Sequence, residues 1–500
     1  MKNLKLLVLL LITVFSFSCT KLEQNQRGAL NIESSTVNAA GLLQSAYETL
    51  NNPFQDQSRF WAASEHTTDE AIGPTRGPDW DDNGVWRVLH NHTWNADHQF
   101  LSDTYRELLQ AQFAASSVLD KSPTPQQAAE ARFIRALSMF AVLDGWDQVP
   151  FRSDLKDLKK LPEIKKGAAA ADFIISELNA IINDLPAGSS SNIIKANKNA
   201  ARVLMMKLYL NKGVYANRAT PTFAAGDMQQ VITLADQITG YSLSSNFYDN
   251  FSPDNSTKST EIIYALENTN GVRGGNNQSR WYCTLHYNQR PSGWNGFTTL
   301  SDFYDKFEAT DKRRGDSYTG VTNVSGLRVG LLVGQQFDQN GTALKDRSGA
   351  PLSFTRDVKI KETGTNLEVT GIRVIKYPPD YAKEFPAENE YVIFRWADVM
   401  LMKAEALLRT GNAAAGLAIV NQIRANRGAT ALASLTADNL LDERGRELYW
   451  EGWRRNDLVR FGKYLNAYQE KPASTSERLL FPIPNEQLAV NPALKQNPGY

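Results

Sequence analysis

The run from Tyr391 to Leu408, Tyr-Val-Ile-Phe-Arg-Trp-Ala-Asp-Val-Met-Leu-Met-Lys-Ala-Glu-Ala-Leu-Leu, constrains this chain more than any other stretch. It is apolar on most sides and rich in good helix formers, so it predicts a helix buried by other helices. Gly411-Asn412 stops it, glycine being the residue that accepts a left-handed turn at a helix end. A second helix follows, with Leu417, Val420 and Ile423 at spacing three and Arg424 and Arg427 in its last turn, where cations suit the helix dipole. Ala404, Ala406, Gly416 and Ala418 are small enough for close approach. The pair predicts a helical hairpin of tetratricopeptide type without the full repeat consensus.

A third helix is expected from about Thr436 through Leu458, with Leu440, Leu441, Leu448, Trp450, Trp453 and Leu458 on its core side. Its other side is dense in charge, and closely set carboxylates invite an acid/base reading of the glycosidase kind. The spacing favours structure instead: Glu443–Arg446, Arg444–Glu447, Glu451–Arg454, Glu451–Arg455 and Asp457–Arg460 all suit helical ion pairs. The expectation is a helix-surface network.

Three segments together carry a resemblance. They are Arg395-Trp-Ala-Asp-Val-Met-Leu-Met-Lys-Ala-Glu-Ala, Asn421-Gln-Ile-Arg-Ala-Asn-Arg-Gly, and Glu443-Arg-Gly-Arg-Glu-Leu-Tyr-Trp-Glu-Gly-Trp-Arg-Arg-Asn-Asp-Leu-Val-Arg. With the tail Phe481-Pro-Ile-Pro and Asn491-Pro-Ala-Leu-Lys-Gln-Asn-Pro-Gly-Tyr500, the pattern closely resembles the SusD/RagB family over nearly the whole chain. The resemblance implies a surface lipoprotein that binds nutrients, mostly glycans, for a SusC-type TonB-dependent transporter of the outer membrane. It also implies a mainly α fold, a tetratricopeptide-like scaffold with an inserted irregular region of short strands.

Lys and Arg number 54 and Asp and Glu 54, and there is no long basic run, so the sequence offers nothing to nucleic acid. Ten tryptophans are compatible with aromatic platforms for sugars, although large cores also use the residue. Of the two cysteines, one closes the leader, which leaves no intrachain disulfide in the mature chain.

Residues 1–18 read as an export signal: Lys2 and Lys5, then an apolar run from Leu6 to Phe17 too short to span a membrane. Ser16-Phe17-Ser18-Cys19 resembles a bacterial lipobox, with Cys19 the lipidated residue. Cleavage before it would leave a cell-surface, lipid-anchored protein, tethered by the polar residues 20–33. Residues 19–240 then form an N-terminal helical region with helices expected at Thr36–Leu50, Leu101–Leu119, Pro125–Trp146, Ala169–Leu185, Lys195–Lys212 and Asp227–Ile238. Residues 241–500 form a C-terminal region, with 241–390 loop- and strand-rich and 391–500 helical hairpins and tail. Strands are expected at Glu261–Leu266, Val358–Ile360, Leu367–Val369 and Ile372–Val374, with Asn340-Gly341 as a hairpin signal.

Two non-periodic stretches are the candidates for the ligand site. The first, Phe60 to Trp94, mixes Trp80 and Trp86 with Asp69 and Arg76; the second holds Trp281, Tyr282 and Trp294. Rings stack on apolar sugar faces while hydroxyls need polar partners, so aromatics beside Asp and Arg suit a carbohydrate. Trp80 and Trp281 are the leading platforms, Trp86 and Trp294 stand behind them, and Arg373 is a charged contact or a structural ion pair. Asp79-Trp-Asp-Asp-Asn-Gly84 matches half a calcium loop, but its twelfth position is His90 instead of Glu, and His90, His92 and His98 fit no zinc spacing. Cys283 has no His-assisted nucleophile motif about it, and no phosphate loop, dinucleotide fingerprint or hydrolase elbow occurs. No metal, cofactor or catalytic residue is therefore expected. Three other readings stand beside an oligosaccharide binder: a peptide-binding member of the family, a glycoside hydrolase using Asp69 or Glu70, and a structural transporter subunit.

Overall fold

Helix α1, Ala39–Glu48, opens the fold in a computed structural model that describes residues 38–269 and 274–500. The leader, Cys19 and the tether lie outside the described residues. Helix α2, Gln99–Leu119, packs along α3, Pro125–Trp146. The start of α3 is set locally. The Thr124 hydroxyl accepts from the Gln127 N–H, the Gln127 side chain accepts from the Thr124 N–H, and Pro125 takes the first helical position. Almost every side of α3 beyond Ala129 is buried, as its alanines and serine allow. A short antiparallel hairpin, β1 (Gln148–Phe151) with β2 (Glu163–Lys166), links it to α4, Gly167–Ile181. Helices α5, Lys198–Ala216, and α6, Ala225–Asp236, extend the stack, each against its predecessor.

The chain then leaves the helical stack. Strand β3, Ile262–Leu266, pairs antiparallel with a later segment, while β4, Val329–Leu332, pairs antiparallel with β5, Arg373–Ile375. Leu367–Val369, expected as a strand, is a 3-10 turn entered through Asn366 in a left-handed conformation, and Val358–Ile360 lies outside the strands. The stretch from Phe60 to Trp94 also has more regular structure than its composition suggests, with helical turns at Phe60–Glu65 and Val85–His90.

The partner of β3 is β6, Tyr391–Arg395, with Tyr391 opposite Leu266. This corrects the expectation of one helix from Tyr391. The aromatic and β-branched residues Tyr391, Val392, Ile393 and Phe394 are buried on both faces, which suits a strand covered on both sides. Helix α7, Trp396–Arg409, begins only after Arg395. Its hairpin with α8, Ala413–Asn426, is as close as the small residues allow: a Cβ on Gly416 would lie 2.9 Å from the Ala404 carbonyl oxygen. Helix α6 packs on α7, so the two halves of the helical scaffold meet across the intervening loops.

The third helix is also broken. Helix α9 runs Ala437–Leu448 and α10 Arg454–Arg460, and between them Trp450 (φ 60) and Gly452 (φ 83) turn the chain through left-handed conformations. Carboxylates from the early loop hold that turn: the Trp450 N–H donates to Glu70 Oε2 at 3.1 Å and the Gly452 N–H to Glu65 Oε1 at 2.6 Å.

The charges of α9 and α10 form no surface network. Arg395 contacts Glu261 at 3.1 Å, Glu447 at 2.7 Å and Glu451 at 2.8 Å, all four groups buried. Arg427 joins Glu261 and Glu447, and Arg313 joins Asp311, Glu443 and Glu447. Of the expected helical pairs, Glu443–Arg446 and Asp457–Arg460 form; most partners instead come from other elements, which α9 and α10 thereby bind to β3, β6 and α8. Burial would raise the Glu443 carboxyl, but Arg313, Arg446 and Arg424 hold it at about 2. Carboxylates so fully paired serve architecture and have no free lone pair for acid/base chemistry.

Candidate functional site

An arc of aromatic side chains forms where the early loop meets the segments around 276–295 and 385. Trp294 is 50% exposed, Phe385 64% exposed, and the buried Tyr282 lies between them. The Tyr282 ring is 4.4 Å from Trp294 and 5.5 Å from Phe385, near parallel to the latter. Its hydroxyl donates to Asn276 Oδ1 at 2.7 Å. Trp80, half-buried with φ 60, extends the arc: its indole N–H donates to the Trp294 carbonyl oxygen at 2.8 Å and the two rings lie 6.4 Å apart. Gly296 makes room for it, since a Cβ there would come within 2.2 Å of the Trp80 ring.

Polar groups border these rings. The Tyr287 hydroxyl donates to Asp79 Oδ2 at 3.3 Å, and the Arg347 guanidinium lies 4.0 Å over the Tyr287 ring. Arg347 pairs with Glu368, which also meets His286 at 2.9 Å. Burial lowers the His286 pKa against the pull of Glu368, while Arg347 and His286 outweigh burial and lower that of Glu368. The arrangement offers ring faces for stacking and carboxylate, amide and guanidinium groups for hydroxyls.

The expected site residues are thus divided. Trp80, Trp294 and Tyr282 come together. Trp281, a leading platform in the sequence, is 1% exposed and belongs to the core, so its ring is closed to a ligand. Trp86 is also core, donating to Asp82 at 2.8 Å behind Trp80. Buried Arg76 donates to the carbonyl oxygens of Asn295 (3.1 Å), Leu367 (2.8 Å) and Thr370 (2.9 Å), and burial lowers its pKa to about 10. Arg373 donates to Asn295 Oδ1 at 2.7 Å and to the Glu368 carbonyl oxygen at 2.8 Å, with no carboxylate partner among the described residues. Both arginines brace the loop that presents Trp294. Asp69 pairs with Arg454 at 2.7 Å, a scaffold contact.

Phe385 and Arg347 escaped the sequence reading, while Tyr287 belongs to its second aromatic cluster. Phe385 had one usable signal, a large ring before Pro386 in a stretch without periodicity. The histidines are dispersed: His90 reaches the Gln469 carbonyl oxygen, His92 that of Thr67, and His98 that of Val85. The half calcium loop likewise spends its carboxylates on different partners, Asp79 on Tyr287, Asp81 on Arg87 and Asp82 on Trp86. Cys283 is a free, buried thiol whose pKa burial pushes well up.

The family model of the SusD family matches residues 260–500, the part that holds β3, β6, the helical hairpin and most of the arc. Residues 260–500 of this chain belong to the SusD family. The chain is 28% identical over 418 residues to the starch-binding protein SusD of Bacteroides thetaiotaomicron, covering 75% of this chain and 73% of that one. Its fold is similar to that of a SusD superfamily protein from Parabacteroides distasonis, with TM-score 0.71 and 18% identity over 92% of this chain and 98% of the other. It is similar as well to surface glycan-binding protein A from Bacteroides thetaiotaomicron in complex with laminarihexaose, with TM-score 0.63 and 17% identity over 92% and 98% of the two chains. Among the described residues no helix is long and apolar enough to cross a membrane.

Proposed function

We propose that this chain captures an oligosaccharide on the arc of Trp80, Trp294, Tyr282 and Phe385 and passes it, uncleaved, to a SusC-type TonB-dependent transporter. The observation that carries the reading is Trp294. Its ring is half exposed and packs against Trp80 and Tyr282, with Asn276 on the Tyr282 hydroxyl and Asp79 beside Trp80 in the chain. A large apolar ring left in water beside fixed polar groups suits a sugar, whose one face is C–H and whose edge is hydroxyl. The starch-binding relative and the laminarihexaose complex of a structural neighbour support a glycan over other nutrients.

Capture without cleavage is supported by the state of the two carboxylates that a hydrolase would use. Asp69 is neutralised by Arg454, and Glu70 is buried with its oxygen on the Trp450 N–H. Lipidation at Cys19, with its leader and lipobox, would place the protein on the cell surface at the outer membrane. Isothermal titration with a panel of soluble glucans, other oligosaccharides and peptides tests the ligand class. Heat with an oligosaccharide and no reducing sugar released supports the proposal. Binding to peptides alone assigns the peptide reading, and release of sugar assigns the hydrolase.

A further inference from the structure

Four large apolar side chains exposed among the described residues, Phe113 (48%), Leu158 (56%), Leu161 (47%) and Val490 (73%), line a single cavity of about 380 Å³. The cavity lies between α2, the segment joining β1 to β2, and the helix Asn485–Val490. It shares no residue with the aromatic arc. Clustered exposed apolar groups are costly in a free monomer, because each loses the burial its neighbours could have provided, and such patches mark interaction surfaces.

The charge on the cavity lining has one sign. Arg135, Arg152 and Lys159 are the charged residues of its lining. Arg135 is spent on Glu177 and Arg152 on the loop carbonyls of Asp157 and Leu158. The loop's own acids are occupied: Asp154 accepts the Lys156 N–H, Asp157 accepts the Lys159 N–H, and Glu163 holds Lys165. The ammonium groups of Lys156, Lys159 and Lys160, all on exposed residues, have no partner among the described residues. Within the cavity wall, the amide nitrogen of Gln112 is buried and has none either. A buried donor without an acceptor is expensive unless something supplies one.

We propose that this cavity docks a partner protein through a segment that inserts an apolar side chain and carries carboxylates on either side. The apolar side chain fills the space between Phe113 and Leu158, a carbonyl of the segment accepts from Gln112, and its carboxylates lie over Lys156, Lys159 and Lys160. An apolar anchor in a pocket with a charged rim is the usual form of a binding hot spot, and complementary charge fixes which segment enters.

The test is photo-crosslinking in intact cells with the full-length chain carrying a benzoylphenylalanine at position 158 or 113. The same residue at Phe337, an equally exposed ring elsewhere, is the control. The expected result is a covalent adduct with one protein from positions 158 and 113 but not 337. The mapped peptide should hold an apolar residue flanked by carboxylates. In the triple variant Lys156→Glu, Lys159→Glu, Lys160→Glu the adduct should fall about tenfold or more, while the melting point and titration with oligosaccharide stay unchanged. Adducts with lipid alone, no adduct, a peptide without carboxylates, or a yield indifferent to charge reversal overturns the proposal.

Discussion

The indole N–H of Trp80 donates to the main-chain oxygen of Trp294 at 2.8 Å, joining two loops 214 residues apart. The early loop therefore buttresses the later one, and the ring that faces water is Trp294. The braced position also accounts for Arg76 and Arg373, whose guanidinium groups tie down Asn295 beside it.

Core and arc aromatics are expected to respond oppositely to truncation. Trp281→Ala removes a side chain that is 1% exposed and should cost roughly 3–5 kcal/mol of stability. Phe385→Ala removes a ring that is mostly in water and should leave the unfolding midpoint nearly unchanged while weakening ligand binding. Chemical denaturation of both variants checks this. A Trp281→Ala protein as stable as the parent contradicts the assignment of that ring to the core.

Arg395 is the centre of the buried ion network, with Glu261, Glu447 and Glu451 about it. Arg395→Met leaves three buried carboxylates short of a cation, and the expected loss is roughly 3–5 kcal/mol. Neutralising Glu451 in addition should recover part of it, because fewer unpaired charges then remain. Denaturation midpoints of the single and double variants measure the coupling, and strictly additive losses count against a connected network.

The legible parts of the fold were those set by local chemistry. Helix α3 was readable to both ends because Thr124, Pro125 and a run of small residues all point the same way. The strand Tyr391–Arg395 was not, since a run of four apolar residues suits strand or buried helix equally and only the pairing with Ile262–Leu266 decides. The break at Trp450 was hidden for a similar reason: its left-handed turn is held by Glu65 and Glu70, nearly four hundred residues away in sequence. In the candidate site, the sequence sets apart tryptophans in irregular stretches, but irregular does not mean exposed. Trp281 and Trp86 are packed by residues that no local pattern names, while Phe385 lies about a hundred residues beyond Tyr282 in sequence and only the fold brings the two rings together.

The Glu65–Glu70 pair should give stability a pH dependence of known sign. Burial outweighs Arg454 and raises Glu70 from its ordinary 4.5 to about 7, and burial together with Glu70 raises Glu65 as well. The folded chain therefore keeps protons that the unfolded chain has released, so this pair's contribution falls as pH rises from about 4.5 through about 7. Glu70→Gln retains an acceptor for the Trp450 N–H and removes one charge. Its melting point relative to the parent should climb across that window and level off above it. A difference that is flat with pH means that the carboxyls titrate normally.

Anchoring is expected to depend on Cys19. Cys19→Ala should be released from the membrane fraction or accumulate unprocessed, as fractionation and labelling with a palmitate analogue will show. Surface-exposed, membrane-bound Cys19→Ala protein contradicts the anchor.

The central claim is that Trp294 is the platform of an oligosaccharide site, and calorimetric titration of parent and Trp294→Ala with whichever oligosaccharide the panel selects tests it most directly. Removing a stacking ring is worth about 2 kcal/mol or more, so the account predicts a Kd raised about thirtyfold and an unfolding midpoint essentially that of the parent. Equal affinity in the two proteins, with both folded, contradicts it and moves the site off this arc.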